Sequence, residues 1–531
     1  MRRTVPILAA LLGVLISLLP AVPAAAGPAP LAWSPCPEDA AVRCATLTLP
    51  VNWDAPRGPV FRMAVARRPA ADPAARVGTL VINPGGPGNS GVDAVLTNWL
   101  GLSPELLRRF DVVGFDPRGV GRSNPVLCSL RLAMAAPDPL MADQAAFDRR
   151  LAYNARYRDD CRARTGPLYD RVDSASVVRD LDALRAALGE PRLTFYGVSY
   201  GTLIGQLYAE RFPGRVRALA LDSNMDHSLG TAAMLDTDTW TTQDSFDQFA
   251  AWCARSAECA LHGRDVRALW RDLLERAGRG ELPDPADPGV PLAPVMLIYQ
   301  VFNAFYAPGW PAVAEFLRAL DAGTSARPAA APAVPEEPEE PEDEVFNDAT
   351  QVVCQDFWLP IRDHREFARH LRRLETIAPD MRMSPVSVAL TVACLGQPAP
   401  VPNPQHRLRV DGSPPLLLVN GRHDPAAGYP WALSTARQIG DEARLLTYDG
   451  AGHGMYGRTP CVTGAVDRYL VSLAVPAPGA HCAAAPMTGP APSPARAGLT
   501  ARPQWPVAPS MLSRSRSACP LCRAYSWTMT E

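Results

Sequence analysis

Between residues 78 and 224 short apolar stretches alternate with amphipathic ones, and this alternation constrains the fold more than any other feature of the chain. "GTLVINPGGPGNSG" (78–91) is an apolar strand running into a glycine-rich loop. "FDVVGFDPRGVGRS" (110–123) is a second strand followed by a polar, glycine-bearing turn. "SASVVRDLDALRAALGE" (174–190) has apolar residues at three-to-four spacing behind an N-cap serine, which predicts a helix. The strand "PRLTFYGVS" then passes into the helical "YGTLIGQLYAERFP", and "RVRALALDSN" (215–224) is the next strand. Short apolar strands separated by helices build a mostly parallel sheet covered on both faces. Upstream, "CATLTLPVNWDAP" and "PVFRMAVARRPA" read as two strands joined by a Pro/Gly turn.

After the strand ending near 223 the alternation stops until a strand starting near 415. Residues 225–410 are helical in pattern, as in "DVRALWRDLLERA" and "REFARHLRRLETI", and predict a large, mainly helical cap. The tract "SARPAAAPAVPEEPEEPEDE" (325–344) interrupts it and predicts a flexible, solvated acidic loop, because Pro and Glu bury little apolar surface. Strand pattern resumes at "SPPLLLVNGRHDP" (413–425), followed by a helix over 430–440, the strand "ARLLTYDG" (443–450), the loop "AGHGMYG" and a last helix. The expected organisation is a core of 27–224 and 411–483 split by the cap, with a disordered Pro/Ser/Arg-rich tail over 484–531.

Arg2 and Arg3, an apolar run from Val5 to Leu19 and the small residues Ala24, Ala25 and Ala26 form the three parts of a secretory signal peptide. Cleavage is expected after Ala26, leaving a secreted protein with no membrane attachment, since the run is short for a span of roughly 20 residues. Twelve cysteines suit an oxidising destination. Cys36/Cys44, Cys253/Cys259 and Cys461/Cys482 are near enough in sequence to form local bridges. Cys128, Cys161, Cys354 and Cys394 allow three pairings, of which 128–161 with 354–394 closes the shortest loops. Cys519 and Cys522 form a lone C-x-x-C in the tail; with no second one and no H-E-x-x-H, no metal is expected. The net charge of −2 offers no basic face for nucleic acid.

Gly197-Val198-Ser199-Tyr200-Gly201 fits G-x-S-x-G and sits between a predicted strand and a predicted helix, the context a nucleophilic serine needs. A serine hydroxyl requires a base, an orienting acid and donors for the developing oxyanion. In a parallel sheet these converge at the carboxyl ends of the strands. His453, in "DGAGHGMY", follows the last strand and lies C-terminal to Asp424, giving the order Ser199, Asp424, His453 of an α/β-hydrolase triad. His423 is the rival base and Asp449 the alternative acid. The "NPGGPGNSG" loop (83–91) offers unobstructed backbone N–H groups, and Gly86 and Tyr200 are assigned as the oxyanion donors. The same loop could cradle phosphate, but neither P-loop nor dinucleotide-binding spacing accompanies it.

"NPGGPGNSG", "DPRGVGRS", "YGVSYGT", "LLLVNGRHDP" and "TYDGAGHGMY" together resemble the secreted tripeptidyl aminopeptidases, serine exopeptidases of the proline-iminopeptidase-related α/β-hydrolases. The similarity runs from about 35 to 483. It implies an α/β-hydrolase fold with a cap over the site, no cofactor, peptide substrates with a free N-terminus, and the triad Ser199, Asp424 and His453. Pro84 stands where cytosolic proline iminopeptidases carry the His of H-G-G-P-G, which points to the secreted branch. A carboxylate under the cap would capture the substrate ammonium, with Asp226 and Asp356 as candidates. The leading expectation is a secreted serine aminopeptidase releasing short peptides. A secreted carboxylester hydrolase with the same triad, and a non-catalytic hydrolase-fold binding protein, are the competing readings.

Overall fold

The computed structural model describes residues 31–285, 287–323 and 344–486. The expected signal peptide, nearly all of the acidic loop, most of the tail and Cys519/Cys522 lie outside the described residues.

Ten strands form the main sheet among the described residues: β1 (Ser34–Pro35), β2 (Arg43–Pro50), β3 (Val60–Arg68), β4 (Gly78–Asn83), β5 (Phe110–Phe115), β6 (Leu193–Val198), β7 (Val216–Asp222), β8 (Leu416–His423), β9 (Ala443–Ala451) and β10 (His481–Cys482). Their order across the sheet is β1-β2-β3-β5-β4-β6-β7-β8-β9-β10. The hairpin of β2 and β3 and its neighbours pair antiparallel, and everything from β5 to β10 is parallel. Successive side chains point to opposite faces of a strand. Val81, Phe195, Leu219 and Leu418 therefore pack into one hydrophobic layer, and Leu80, Tyr196, Ala218 and Leu417 into the other. Both layers are covered by helices, which is why these strands read as unbroken apolar runs.

The helices that matter for the site are α1 (Gly91–Thr97), α2 (Gln144–Thr165), α3 (Ser174–Ala187), α4 (Tyr200–Arg211), α5 (Thr231–Arg255), α6 (Val266–Gly278), α7 (Pro294–Ala304), α8 (Trp310–Asp321), α9 (Thr350–Asp356), α10 (His364–Ile377), α11 (Pro385–Ala393), α12 (Tyr429–Ile439) and α13 (Pro460–Ser472). Helices α5 to α11 are inserted between β7 and β8 and have their own core, in which Phe246, Trp270, Leu297, Phe302 and Leu317 are buried together. With this sheet and this helical insertion the chain has the α/β-hydrolase fold.

Helix α3 starts as predicted, but its cap is Asp173, not a serine. The Asp173 carboxylate accepts the Ser176 N–H at 2.8 Å, and Ser174 is already helical. Its hydroxyl is thereby free to donate to Asp356 at 2.6 Å. Five disulfides join Cys36–Cys44, Cys128–Cys161, Cys253–Cys259, Cys354–Cys394 and Cys461–Cys482, the shortest-loop set.

Candidate active site

Ser199 ends β6 and starts α4 with φ 55° and ψ −122°, a conformation that costs a non-glycine residue energy and recurs at functional positions. Neighbouring backbone holds it there: its N–H donates to the Asp222 carbonyl at 2.8 Å, and its carbonyl accepts the Thr202 N–H at 2.8 Å. The flanking glycines are required by close approach. A Cβ on Gly197 would lie 2.5 Å from the Gly201 carbonyl oxygen, and one on Gly201 2.6 Å from the Asn83 carbonyl oxygen. The elbow thus packs directly against the strand that carries the glycine-rich loop.

That loop is itself anchored. Asp116, from the "DPRG" turn, accepts the Ser90 hydroxyl at 2.6 Å and the Val92 N–H at 3.1 Å. Arg118, from the same turn, is buried and pairs with buried Asp180 at 2.6 Å. These motif residues shape the surroundings of Ser199 and do not line its cavity.

A cavity of about 50 Å³ contains Ser199, Gly86 and Tyr200 together, so the serine and both expected oxyanion donors share one space. The Ser199 hydroxyl makes no hydrogen bond among the described residues. Asp424 and His453 do not line this space; they meet each other, and Tyr306, which lines it, touches His453. His453 Nδ1 lies 2.9 Å from Asp424 Oδ1 and 3.2 Å from Oδ2. A carboxylate only accepts, so the Nδ1 position carries a proton, and in the neutral ring Nε2 is the nitrogen left as acceptor. The N–H groups of Ala426 and Ala427 fix the Asp424 carboxylate at 3.0 and 2.9 Å. Both residues are buried, Asp424 at 1% exposure and His453 at 6%.

The loop of His453 is held from two sides. From the core, Asp222 accepts the N–H groups of Met455 and Tyr456, each at 2.8 Å, and Ser223 Oγ accepts the Gly454 N–H at 2.9 Å. From the cap, the Tyr306 carbonyl accepts the His453 N–H at 2.8 Å. The Tyr306 ring stands edge-on to the imidazole at 5.0 Å and also lines the cavity of Ser199. Tyr306 is the side chain common to the serine's cavity and the histidine.

The rivals are engaged elsewhere. His423 Nδ1 is 2.8 Å from Asp244, and Asp449 pairs with Arg422 and His481. Neither sequence candidate for ammonium capture lines the cavity. Asp356 is saturated by Ser174, Asn403 and the Tyr200 hydroxyl, and Asp226 is turned to Ser228 and Gln438. The carboxylate that does line it is Asp238, on α5. Asp238 accepts from the Ser384 hydroxyl and pairs with no cation among the described residues. Burial, opposed by its serine donors, raises its pKa to about 7. Sequence reasoning missed both Asp238, inside helix α5, and Tyr306, in the turn after α7, neither of which belongs to a motif; for Asp222 the signal was its place at a strand end.

The family described as "alpha/beta hydrolase fold" matches residues 78–287, and that described as "TAP-like protein" matches residues 381–482. Over 487 residues the chain is 30% identical to "Serine protease Hip1" of Mycobacterium tuberculosis, covering 85% of this chain and 91% of that one. It is 30% identical over 474 residues to "Tripeptidyl aminopeptidase" of Streptomyces lividans, covering 85% and 86%. It is 33% identical over 474 residues to "Carboxylesterase B" of Mycobacterium tuberculosis, covering 85% and 89%.

Proposed function

The chain belongs to the tripeptidyl aminopeptidase family of α/β-hydrolase serine hydrolases, and on that premise we propose that it is a secreted serine aminopeptidase that releases short peptides, tripeptides by family, from free N-termini. Ser199 is the nucleophile, His453 the general base and Asp424 the residue that orients it. His453 Nε2 takes the hydroxyl proton as Ser199 Oγ attacks the scissile carbonyl. The N–H groups of Gly86 and Tyr200 receive the negative charge that develops on the carbonyl oxygen. His453 then protonates the leaving amine, and in the second half-reaction it takes a proton from the water that hydrolyses the acyl-enzyme. Asp424 keeps the proton on Nδ1 throughout and stabilises the imidazolium.

The observation that carries the aminopeptidase reading is Asp238. A buried carboxylate without a cationic partner, in the same cavity as the nucleophile, suits a substrate that brings its own positive charge. An α-ammonium supplies it; an ester or an N-blocked peptide does not. Secretion is supported by five disulfides, which persist in oxidising compartments.

The relative named a carboxylesterase keeps a second reading in play, a carboxylester hydrolase with the same triad. Three chromogenic substrates separate the two: a free-amine tripeptide anilide, its N-acetylated form and a short-chain nitrophenyl ester. The aminopeptidase cleaves the first at least about ten-fold faster than the second. Equal rates on the two anilides sink the exopeptidase claim, and turnover of the ester alone establishes the second reading.

A further inference from the structure

A second cavity, of about 100 Å³, lies where α2 meets α7 and α11. Val386, on α11, lines both this cavity and that of Ser199, so the two share a wall. The second cavity is mostly apolar, with Tyr153, Tyr299 and Met296 among its walls.

Its charges are unbalanced. Arg150 lines it at 4% exposure and forms no ion pair among the described residues. One guanidinium nitrogen donates to the Pro137 carbonyl, the cation lies 5.3 Å over the Tyr153 ring, and Nε is buried without a hydrogen-bond partner. Burial lowers the pKa only to about 10, so the group stays charged at neutral pH. Arg158 also lines the cavity and, among the described residues, donates to the carbonyls of Leu395 and Gly396, at 3.2 and 2.8 Å. The carboxylate on the wall, Asp348, is taken up by the Tyr157 hydroxyl at 2.6 Å and the Thr350 N–H at 2.8 Å. A buried cation with an unused N–H is costly unless something negative reaches it.

We propose that this second cavity receives the C-terminal residue of a short peptide substrate, its carboxylate on Arg150 and its apolar side chain among the aromatic walls. The inference rests on the peptidase reading and narrows it. The substrate becomes an oligopeptide free at both ends, with its ammonium at Asp238, its carboxylate at Arg150 and its scissile bond at Ser199. A chain segment inside a folded protein or a long polypeptide brings no carboxylate to that point and leaves Arg150 unpaired.

The test uses free-amine oligopeptides ending in leucine, each as the C-terminal acid and as the amide, with cleavage followed by chromatography. The acid is expected to have a kcat/KM at least about ten-fold above that of the amide, the worth of one hydrogen bond to a charged group. Arg150→Met is expected to bring the acid-to-amide ratio close to one. Equal cleavage of acid and amide by the unaltered enzyme, or an undiminished ratio in Arg150→Met, overturns the proposal. If Arg150→Met does not fold, calorimetry on the unaltered enzyme decides: N-acetyl-leucine must bind at least about ten-fold more tightly than its amide. Failure of the peptidase reading looks different, because no free-amine peptide is then cleaved in either form, and the calorimetric comparison still reads the cavity.

Discussion

Asp222 Oδ2 accepts the backbone N–H of Tyr456 at 2.8 Å, so the carboxylate that ends β7 carries the loop on which His453 stands. The neighbouring Met455 N–H and the Tyr196 hydroxyl donate to the same carboxylate, at 2.8 and 3.0 Å. An amide at this position turns a donor toward one of those donors. Asp222→Asn is expected to lower kcat about 10- to 100-fold, the range of a lost charge-assisted hydrogen bond, with KM changing by less than about three-fold. Steady-state kinetics check this, and an unchanged kcat shows that Asp222 does not support His453 in turnover.

Ser199→Ala, Asp424→Asn and His453→Ala are expected to fold and each to lose at least about 10³-fold in kcat. Circular dichroism establishes folding and single-turnover kinetics the loss. Near-normal turnover in His453→Ala reassigns the base, and His423 is the next residue to change.

Asp238→Asn is expected to raise KM for free-amine substrates about ten-fold and leave that for N-acetylated ones alone. The pH dependence follows from the two charges that must coexist. Asp238 is ionised above about 7, and a peptide α-ammonium survives below about 8. Binding of a free-amine competitive inhibitor is therefore tightest between those values and weakens on either side. In Asp238→Asn the acidic limb of the inhibition profile disappears. Persistence of that limb assigns it to another group.

Stability has its own pH signature. Burial raises Asp238 and Asp356 alike to about 7, above the unfolded value near 3.8. The folded chain thus holds these protons more tightly, so their contribution is fully present below about pH 3.8 and is lost as pH rises through about 7. Thermal melts should show Asp238→Asn gaining Tm relative to the unaltered protein as pH rises from 5 to 8. A gain that is constant across that range contradicts the assignment.

The Cys354–Cys394 bridge closes a loop of 40 residues and ties the start of the cap's last segment to the end of α11. Loop-closure entropy for that length is worth about 4 kcal/mol. Replacing both cysteines by serine is expected to lower Tm by several degrees, measured by calorimetry, and to raise KM because α11 carries Val386 and Ser387 in the wall of the Ser199 cavity. A Tm within one degree of the unaltered protein argues against a role in stability.

The core was legible because its information is local. Leu193–Val198 and Leu416–Val419 are buried, predominantly apolar runs of the kind that strands in a sheet covered on both faces carry. Ser199, Asp424 and His453 stand where such runs break into turns, which is why strand polarity alone assigns all three to the carboxyl ends of the strands. The cap resisted the same reading. Asp238 looks in sequence like any polar residue on a helix, and its lack of a cationic partner becomes visible only after α5 and α11 pack together. Asp356 illustrates the converse: its bonds to Ser174, Tyr200 and Asn403 join residues from distant stretches, which no spacing rule connects. The helix cap displaced from a serine to Asp173 has a related cause, since Ser174 is recruited by Asp356.

Tyr306 belongs to the cap, yet its carbonyl and its ring both touch His453. The insertion is therefore no detachable cover. Engineering that swaps the cap for one from another hydrolase, or divergence that rebuilds it for a new substrate, must supply a replacement for this contact or accept a loosened histidine. With His453 as the proposed base, the cavity of Ser199 and the histidine are coupled through one tyrosine, so substrate choice and chemical competence are expected to drift together and not as independent modules.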